Sequence, residues 1–277
     1  MRADEWLPSV PKHILMYQAF GWEPSVFAHL PIILAPEGKG KLSKRHGAVS
    51  VLEFRRQGYL PEAMVNFLAR VGWAYDDKTE LFTRQELIEK FSLEGVNKSP
   101  AAFSYDKLEW MNGVYIRQLG LDDLAERLMP FLTGAGLPAD LSTVRRIAPL
   151  VQERLKKLTD AVEWVDFFFV DQISYEPSLL VDKKMTAAES LAALRKARET
   201  LAALPDFQEE TLEKALRALA DQLGLKDRQL FGIVRVAATG KNVTPPLFGT
   251  LSILGRERVL ERMDYAEEAL ENVIRDA

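Results

Sequence analysis

The chain has 277 residues, a formal net charge of −4 and no cysteine. This length is enough for two or three domains with cores of their own. The lack of cysteine excludes disulfides, thiolate zinc sites and cysteine nucleophiles. The negative net charge excludes an indiscriminate polycation, although a local patch of cations would still suit a nucleic acid.

The three histidines, His13, His29 and His46, are widely spaced, so we expect no protein-bound metal and no zinc. No apolar stretch approaches the roughly 20 residues that a membrane span needs. The opening MRADEWLPSV lacks a basic region followed by an apolar core, so we expect no signal peptide. Together these features predict a cytoplasmic chain without a membrane partner.

The first fifty residues have α/β character. HILMYQAFGW (13–22) has helical apolar spacing, and VFAHLPIIL (26–34) is a short strand-like run. One or two strands without partners would leave their hydrogen-bonding edges exposed. The pattern therefore predicts the end of a larger α/β domain whose beginning is absent from this chain.

A cluster of cations follows the strand-like run. Residues 39–45, KGKLSKR, contain three lysines and one arginine, and we name them the basic loop. The residues leave three interpretations open: a solvated turn, a short nucleic-acid patch, or a mobile phosphate clamp in which Ser43 donates a hydrogen bond and Lys41 and Lys44 neutralise charge. Open α/β sheets bind ligands at the carboxyl ends of their strands, where this loop lies.

From about residue 60 onward the sequence predicts helix after helix. PEAMVNFLARVGWAY begins with Pro61 and continues with apolar residues at helical spacing. Thr83 with Glu86, and Thr186 with Glu189, have the spacing of a capping box. Further predicted helices lie in SYDKLEWMNGVYIRQL, LDDLAERLMPFLTGAGL, LSTVRRIAPLVQERLKKLTDAVEWVDFFF, TLEKALRALADQLGL, RQLFGIVRVAATG and GRERVLERMDYAEEALENVI.

Positive charge is concentrated in two stretches of this helical part. Residues 141–160 carry five cations against two acids, and residues 226–262 carry seven cations against three acids. Such patches suit contact with a phosphate backbone. Solvated helix faces have the same composition, so both interpretations stay open at this point.

The sequence resembles one family over essentially its whole length. KLSKR resembles the second signature of class I aminoacyl-tRNA synthetases in its glutamyl form. RADEWLPSVPKHILMYQAFGW and SVLEFRRQGYLPEAMVNFLARVGW resemble the segments around that signature in bacterial glutamyl-tRNA synthetases. KLEWMNGVYIR and LFGIVRVAATGKNVTPPLFGTLSILGRERVLERM resemble their stem-contact and anticodon-binding domains. The first half of the family's catalytic domain, with its H-I-G-H-type signature, has no counterpart in these residues.

The resemblance implies a mainly α fold. It implies a C-terminal remnant of a Rossmann-type α/β catalytic domain at 1–50, a helical stem-contact domain at 51–118, and an all-α anticodon-binding domain at 119–277 with a joint near 176–186. The implied function is that of a glutamate–tRNA ligase, with tRNA-Glu, L-glutamate and ATP with Mg²⁺ as partners. We expect a monomeric, truncated form that binds tRNA but cannot activate glutamate alone. The alternative is a non-catalytic tRNA-binding module of synthetase ancestry.

The resemblance also assigns site residues, which fall into three groups. The signature loop, expected to be catalytic, contains Lys41, Ser43, Lys44 and Arg45, with Lys44 as the main contact to the α-phosphate. The expected contacts to glutamate and ATP are Arg2, Glu5, Trp6, Ile33, Leu34 and Lys44. The expected tRNA contacts are Lys107, Trp110, Tyr115 and Arg117 on the stem side, and Arg154, Arg235, Thr244, Pro245 and Leu247 in an anticodon cage, where Arg154 would read the third base.

Overall fold

The structure, a computed structural model, describes residues 1–43, 45, 47 and 50–276, the side chain of residue 276 excepted. The chain divides into two compact units, Met1–Gln118 and Leu119–Ala277. Most of the described residues are helical and the few strands are two residues long, so the predicted mainly α fold is confirmed. None of the helices in this described part combines the length and the apolar character that a bilayer span requires.

The described strands of the first unit form two separate parallel pairs. β1 (Arg2–Ala3) pairs with β2 (His29–Leu30), and β3 (Ile33–Leu34) pairs with β4 (Ala101–Ala102). The strand-like run of the sequence is thus divided at Pro31, which has no N–H to donate to a ladder. Parallel strands are normally covered on both faces, and pairs this short do not form a stable sheet alone.

The helices of the first unit begin at signals in the sequence. The predicted capping box at Thr83 is confirmed, because its hydroxyl accepts the Glu86 N–H while the Glu86 carboxylate accepts the Thr83 N–H. The described helices of this unit are α1 (Val10–Ala19), α2 (Val51–Arg56), α3 (Pro61–Arg70), α4 (Arg84–Lys90) and α5 (Tyr105–Gln118), and a 3₁₀ helix spans Asp4–Ser9.

The core of the first unit contains an aromatic cluster where α3 packs on α5. Asn66, which is fully buried, donates to the Glu80 carbonyl and accepts the Phe82 N–H, both at 2.8 Å. Such pairing is required, because a buried polar group without a partner costs about 1–3 kcal/mol. Leu42 of the basic loop packs against the same core, so the loop is anchored by an apolar side chain. The buried members of the cluster are Phe54, Tyr59, Met64, Phe67, Phe103, Leu108 and Met111.

The second unit is all-helical over its described residues. Its longest helix, Arg256–Asp276, packs along the helix Ala187–Ala202. Ion pairs of Arg195 with Glu267 and Glu271, and of Arg198 with Asp264, join the two helices. The predicted capping box at Thr186 and Glu189 is confirmed. The described helices are α6 (Leu121–Gly134), α7 (Leu141–Val151), α8 (Asp160–Val165), α9 (Ala187–Ala202), α10 (Glu209–Gln222), α11 (Asp227–Thr239), α12 (Leu247–Leu254) and α13 (Arg256–Asp276).

The long helical run predicted around Arg154 is wrong, because the helix breaks there. After α7 the chain makes a 3₁₀ helix (Gln152–Arg154) and then a turn before α8. The Asp160 carboxylate holds this turn by accepting the N–H groups of Lys156 at 3.1 Å and Lys157 at 2.8 Å. The break places Arg154 at the end of a helical segment, where a side chain can take part in a site.

α12 runs beside α7 in the opposite direction. A Cβ atom added to Gly249 would lie only 2.7 Å from Leu150 Cδ2, and Arg146 Nη2 lies 3.4 Å from the Ser252 carbonyl oxygen. Later residues of α12 therefore lie beside earlier residues of α7. By the same register, the end of α7 lies on the side of the beginning of α12. The candidate site described next includes residues that follow this end of α7.

Candidate functional site

Residues 39–43 of the basic loop form the returning half of a tight hairpin at the end of β3. Lys41 lies opposite Leu34 in an antiparallel bridge, and the Ala35 N–H donates to the Gly40 carbonyl at 2.9 Å. Gly38 and Gly40 have φ values of 72° and 73°, which a glycine adopts without a steric penalty. The glycines before the cations thus serve a defined turn.

Two of the predicted site residues, Lys41 of this hairpin and Glu5, form an ion pair. Lys41 Nζ lies 2.9 and 2.8 Å from the two carboxylate oxygens of Glu5, which belongs to the 3₁₀ helix after β1. The side chains are 59% and 41% exposed, so the pair contributes little to stability. Arg45 Nε donates to Ser43 Oγ at 3.3 Å. Lys44 lies outside the described residues, and its predicted contact to phosphate stays a prediction.

Arg2 lines an aromatic pocket of about 280 Å³ beside α1, together with Tyr17, Phe20 and Trp22. The Arg2 guanidinium carbon lies 5.8 Å from the centre of the Trp6 ring, and Nη1 lies 3.5 Å from His13 Nδ1. Among the described residues, Arg2 has no carboxylate partner. Its guanidinium therefore keeps the charge that a ligand carboxylate would neutralise.

Ile33 and Leu34, the predicted backbone contacts to adenine, form β3, which lies between β4 and the hairpin residues Lys41 and Leu42. The Ile33 carbonyl accepts the Leu42 N–H at 2.9 Å, and the Leu34 carbonyl accepts the Phe103 N–H at 3.1 Å. A nucleobase bound here would have to share these carbonyl oxygens, each of which has a second lone pair.

The four predicted stem-contact residues on α5 lie in different environments. Lys107, Trp110 and Arg117 are three and seven residues apart, which places them on one face of the helix. Trp110 is 46% exposed, so this face is not packed in the core. Lys107 Nζ pairs with Glu80 at 2.6 Å. Tyr115 instead packs against the aromatic cluster and donates its hydroxyl to the Phe82 carbonyl at 2.6 Å, and burial raises its pKa.

Arg154 and Arg235, predicted to line the anticodon cage, are within electrostatic range of each other. Burial lowers the pKa of Arg235, and the positive charge of Arg154 lowers it further. Arg235 Nε is buried without a hydrogen-bond partner. In the described part of the chain neither guanidinium has a carboxylate partner. We name the two side chains the arginine pair, and their surroundings suit an anion or an electron-rich nucleobase edge.

Trp164 is a further residue of this site that the sequence did not indicate. The Arg154 guanidinium lies 5.2 Å from the centre of the Trp164 ring, a cation–π contact that holds the side chain in a defined place. The indole is half-buried on α8. Arg154 and Trp164 are ten residues apart, and only the turn at Asp160 brings them together. No helical periodicity predicts this contact.

The segment before α12 is held against α8 by Lys241. Its Nζ lies 2.7 and 2.9 Å from the carboxylate oxygens of Asp166. The three predicted contacts in this segment, Thr244, Pro245 and Leu247, are all buried. The exposed rim of the segment consists of Asn242, Val243 and Pro246.

A metal centre is not formed by the described residues, since no three His, Cys, Asp or Glu side chains converge among them.

Comparisons with known proteins match both units. Residues 123–267 match a family model described as an anticodon binding domain, and residues 1–110 match one described as the catalytic domain of class I tRNA synthetases (E and Q). A glutamate–tRNA ligase from Dehalococcoides mccartyi is 53% identical over 271 residues, which is 96% of this chain and 55% of that protein. The chain belongs to the glutamyl-tRNA synthetase family.

Other members of the synthetase family agree in sequence and in fold. A glutamate–tRNA ligase from Roseiflexus castenholzii is 50% identical over 276 residues, covering 98% of this chain and 54% of that protein. The crystal structure of a glutamate tRNA ligase from Elizabethkingia meningosepticum in complex with its amino acid superposes with a TM-score of 0.82 at 30% identity, covering 97% of this chain and 56% of that chain. The chain thus spans about half the length of the curated relatives it matches.

The buried Arg262 of the synthetase anticodon-binding region provides a contrast with the half-buried Arg235. Arg262 is 4% exposed and donates to the carbonyls of Ala238 at 2.7 Å, Phe167 at 2.8 Å and Val170 at 2.6 Å. Burial lowers its pKa to about 10. Arg262 therefore joins α11 to the segment after α8, whereas Arg235 is half-buried without comparable partners.

We predict that Arg235→Met raises the free energy of unfolding by on the order of 1 kcal/mol, because it removes a partly buried charge without a partner. Arg262→Met is the matched control and should lower it by about 3 kcal/mol or more, since three buried carbonyls lose their donor. Urea unfolding followed by circular dichroism measures both values. Equal destabilisation by the two changes would show that Arg235 is structural.

Proposed function

We propose that this chain is the tRNA-binding and anticodon-reading part of a glutamate–tRNA ligase. The observation that carries the proposal is the Arg154 guanidinium, which lies on the Trp164 ring, has no carboxylate partner among the described residues and is within electrostatic range of the half-buried Arg235. The relatives at 50% and 53% identity are named glutamate–tRNA ligases. In this proposal residues 1–50 belong to the catalytic domain, 51–118 to the stem-contact domain and 119–277 to the anticodon-binding domain.

The reaction proposed for the complete ligase begins with attack of a glutamate carboxylate oxygen on the α-phosphate of ATP. The bond from that phosphorus to the bridging oxygen breaks, pyrophosphate leaves, and glutamyl-adenylate remains. A hydroxyl at the 3′ end of tRNA-Glu then attacks the acyl carbon, and AMP leaves. No covalent bond to the enzyme is needed, so the residues act by positioning and by stabilising charge.

We assign the side chains of the first unit to this chemistry as follows. The Arg2 guanidinium would bind a glutamate carboxylate, since it has no carboxylate partner in the described part of the chain. Lys41, Ser43 and Arg45 would contact the phosphates of ATP, together with Lys44. For this Lys41 would exchange Glu5 for phosphate, an exchange that costs little because the ion pair is exposed. Magnesium would arrive with ATP and be held mainly by its phosphates.

In the second unit we assign base recognition to the arginine pair. Glutamate anticodons end in C and glutamine anticodons end in G, so a guanidinium fork aimed at the acceptor edge of cytosine can discriminate between them. Bases of an unpaired loop can be splayed out, stacked on aromatic rings and hydrogen-bonded on their edges. Trp164 holds the Arg154 guanidinium for such a contact. A guanine would leave this guanidinium imperfectly paired, which is costly in a partly buried site.

We predict that the full chain binds a tRNA-Glu transcript with a marked salt dependence, because each neutralised phosphate of a single strand contributes roughly 0.7 to the log–log slope. Arg154→Gln should weaken binding about tenfold, since one good base contact is worth about 1–3 kcal/mol. Arg217→Gln is the control, because Arg217 is exposed and paired with Glu213 and Asp227. Filter binding at several salt concentrations gives both quantities. Affinity that is indifferent to salt, or equal losses in the two variants, would contradict the proposal.

We also predict that this chain alone forms glutamyl-adenylate at a negligible rate. No described residue of α1 is buried, Trp22 after it is 64% exposed, and the strand pairs are two residues long. A phosphate site built on such an uncovered sheet lacks preorganisation. Glutamate-dependent exchange of pyrophosphate into ATP is the assay, with a full-length relative as the positive control. Sustained exchange by the 277-residue chain would overturn the expectation.

A further inference from the structure

The second unit contains a polar cavity of about 630 Å³ that lies away from the arginine pair. It is formed by α7, the segment after α8, the end of α12 and the start of α13. We name it the α13 cavity. The charged residues of its lining are Arg146, Arg256, Arg258, Asp140, Asp171 and Glu257.

The three arginines of the cavity donate to main-chain carbonyls. Arg256 Nη2 lies 2.6 Å from the Leu204 oxygen, Arg258 Nη1 lies 2.9 Å from the Phe168 oxygen, and Arg146 makes the 3.4 Å contact to Ser252. A main-chain carbonyl fixes the position of a guanidinium group but carries no negative charge to neutralise it. Within the described residues, the one ion pair to these arginines joins Arg258 to Asp171 at 3.9 Å, and the Asp171 side chain is fully exposed.

The other two carboxylates serve helix ends or face solvent. Asp140 accepts the Thr143 N–H at 2.9 Å and the Ser142 hydroxyl at 2.6 Å, and these bonds hold its pKa far below the usual range. It is therefore the N-cap of α7. Glu257 is exposed in the first turn of α13, where the helix dipole favours an acid. Neither carboxylate is within ion-pair distance of the three arginines.

The beginning of α13 adds main-chain donors to the same cavity. The first N–H groups of a helix have no acceptor within the helix. Gly255, the residue before α13, lines the cavity and has no side chain that could cap them. Three guanidinium groups and a helix start thus converge on one space, a set of donors that suits the tetrahedral oxygens of a phosphate.

The α13 cavity and the arginine pair lie at opposite ends of α12. Because α7 and α12 run antiparallel, Arg146 lies beside the end of α12, and Arg154, eight residues later, lies toward its beginning. Five residues of α7 at about 1.5 Å per residue and three residues of the 3₁₀ helix at about 2.0 Å per residue place the Cα atoms of Arg146 and Arg154 at most about 14 Å apart. A few nucleotides of one strand can span that distance, so one RNA can contact both sites.

We propose that the α13 cavity binds a backbone phosphate of the same tRNA whose anticodon contacts the arginine pair. The proposal rests on the proposed function. It assigns to Arg146, Arg256 and Arg258 a contact that fixes where the strand lies, without reading a base. Binding at this cavity is therefore independent of the anticodon sequence, whereas binding at the arginine pair depends on it.

The test compares neighbouring arginines of α7 in the full chain. Arg146→Gln removes a cavity charge, while Arg145→Gln removes an equal charge from a side chain that pairs with Asp122 at 2.9 Å and Glu126 at 3.7 Å. We expect Arg146→Gln to weaken binding of a tRNA-Glu transcript about three- to tenfold and to lower the salt slope by roughly 0.7 to 0.9. Arg145→Gln should change affinity less than about twofold. Arg146→Lys, which keeps the charge, should restore the slope.

A second arm uses inorganic phosphate alone. Titration followed by ¹H–¹⁵N NMR should shift the first amides of α13 in the wild type and not in Arg146→Gln. Phosphate shifts with no effect of Arg146→Gln on tRNA affinity would overturn the assignment to tRNA. Equal effects of Arg145→Gln and Arg146→Gln would overturn the cavity site. If Arg154→Gln weakens tRNA binding and Arg146→Gln does not, the cavity proposal fails while the proposed function stands.

Discussion

Two guanidinium groups within electrostatic range of each other, without a carboxylate partner among the described residues, are the constraint on the candidate site of the second unit. The guanidinium groups of Arg154 and Arg235 repel each other, and Arg235 is also partly removed from water. The surrounding residues hold this region together without placing a carboxylate on either arginine. Trp164 supports one guanidinium, the Lys241–Asp166 pair fixes the neighbouring segment, and Arg262 ties three carbonyls of the adjoining chain. In the proposed function an anionic or electron-rich group would supply the missing counter-charge.

The same unit shows how differently its cations are used. Between α9 and α13, Arg195 and Arg198 are paired with carboxylates, and these pairs hold two helices together. Around α12, Arg146 and Arg256 instead donate to carbonyls and Arg154 lies on an aromatic ring, while the acids near Arg258 and Arg256 are the fully exposed Asp171 at 3.9 Å and Asp206, so little of this charge is neutralised by direct ion pairs. Because the chain has a net charge of −4, this local lack of pairing is not a consequence of scarce acids. Such a local excess of positive charge suits the proposed contact with a polyanion.

The sequence predicted the parts of the fold that depend on local signals. The capping boxes at Thr83 and Thr186 mark helix starts because a hydroxyl and a carboxylate three residues apart satisfy the first donors. It missed the break after α7, because the Asp160 carboxylate that holds the turn looks like any surface acid. Arg262 was counted among the cations of a basic stretch, yet it is buried and structural. Contacts such as Arg154 with Trp164 depend on tertiary placement, and no spacing rule predicts them.

We propose that the arginine pair reads an anticodon base. This is tested most directly by changing the RNA and leaving the protein unchanged. Two anticodon stem–loops of tRNA-Glu sequence, differing only in whether the third anticodon base is C or G, would be titrated against the wild-type chain at one salt concentration. We expect the C-ending stem–loop to bind about tenfold more tightly or better, because one base contact is worth about 1–3 kcal/mol. Equal affinities for the two RNAs would contradict it.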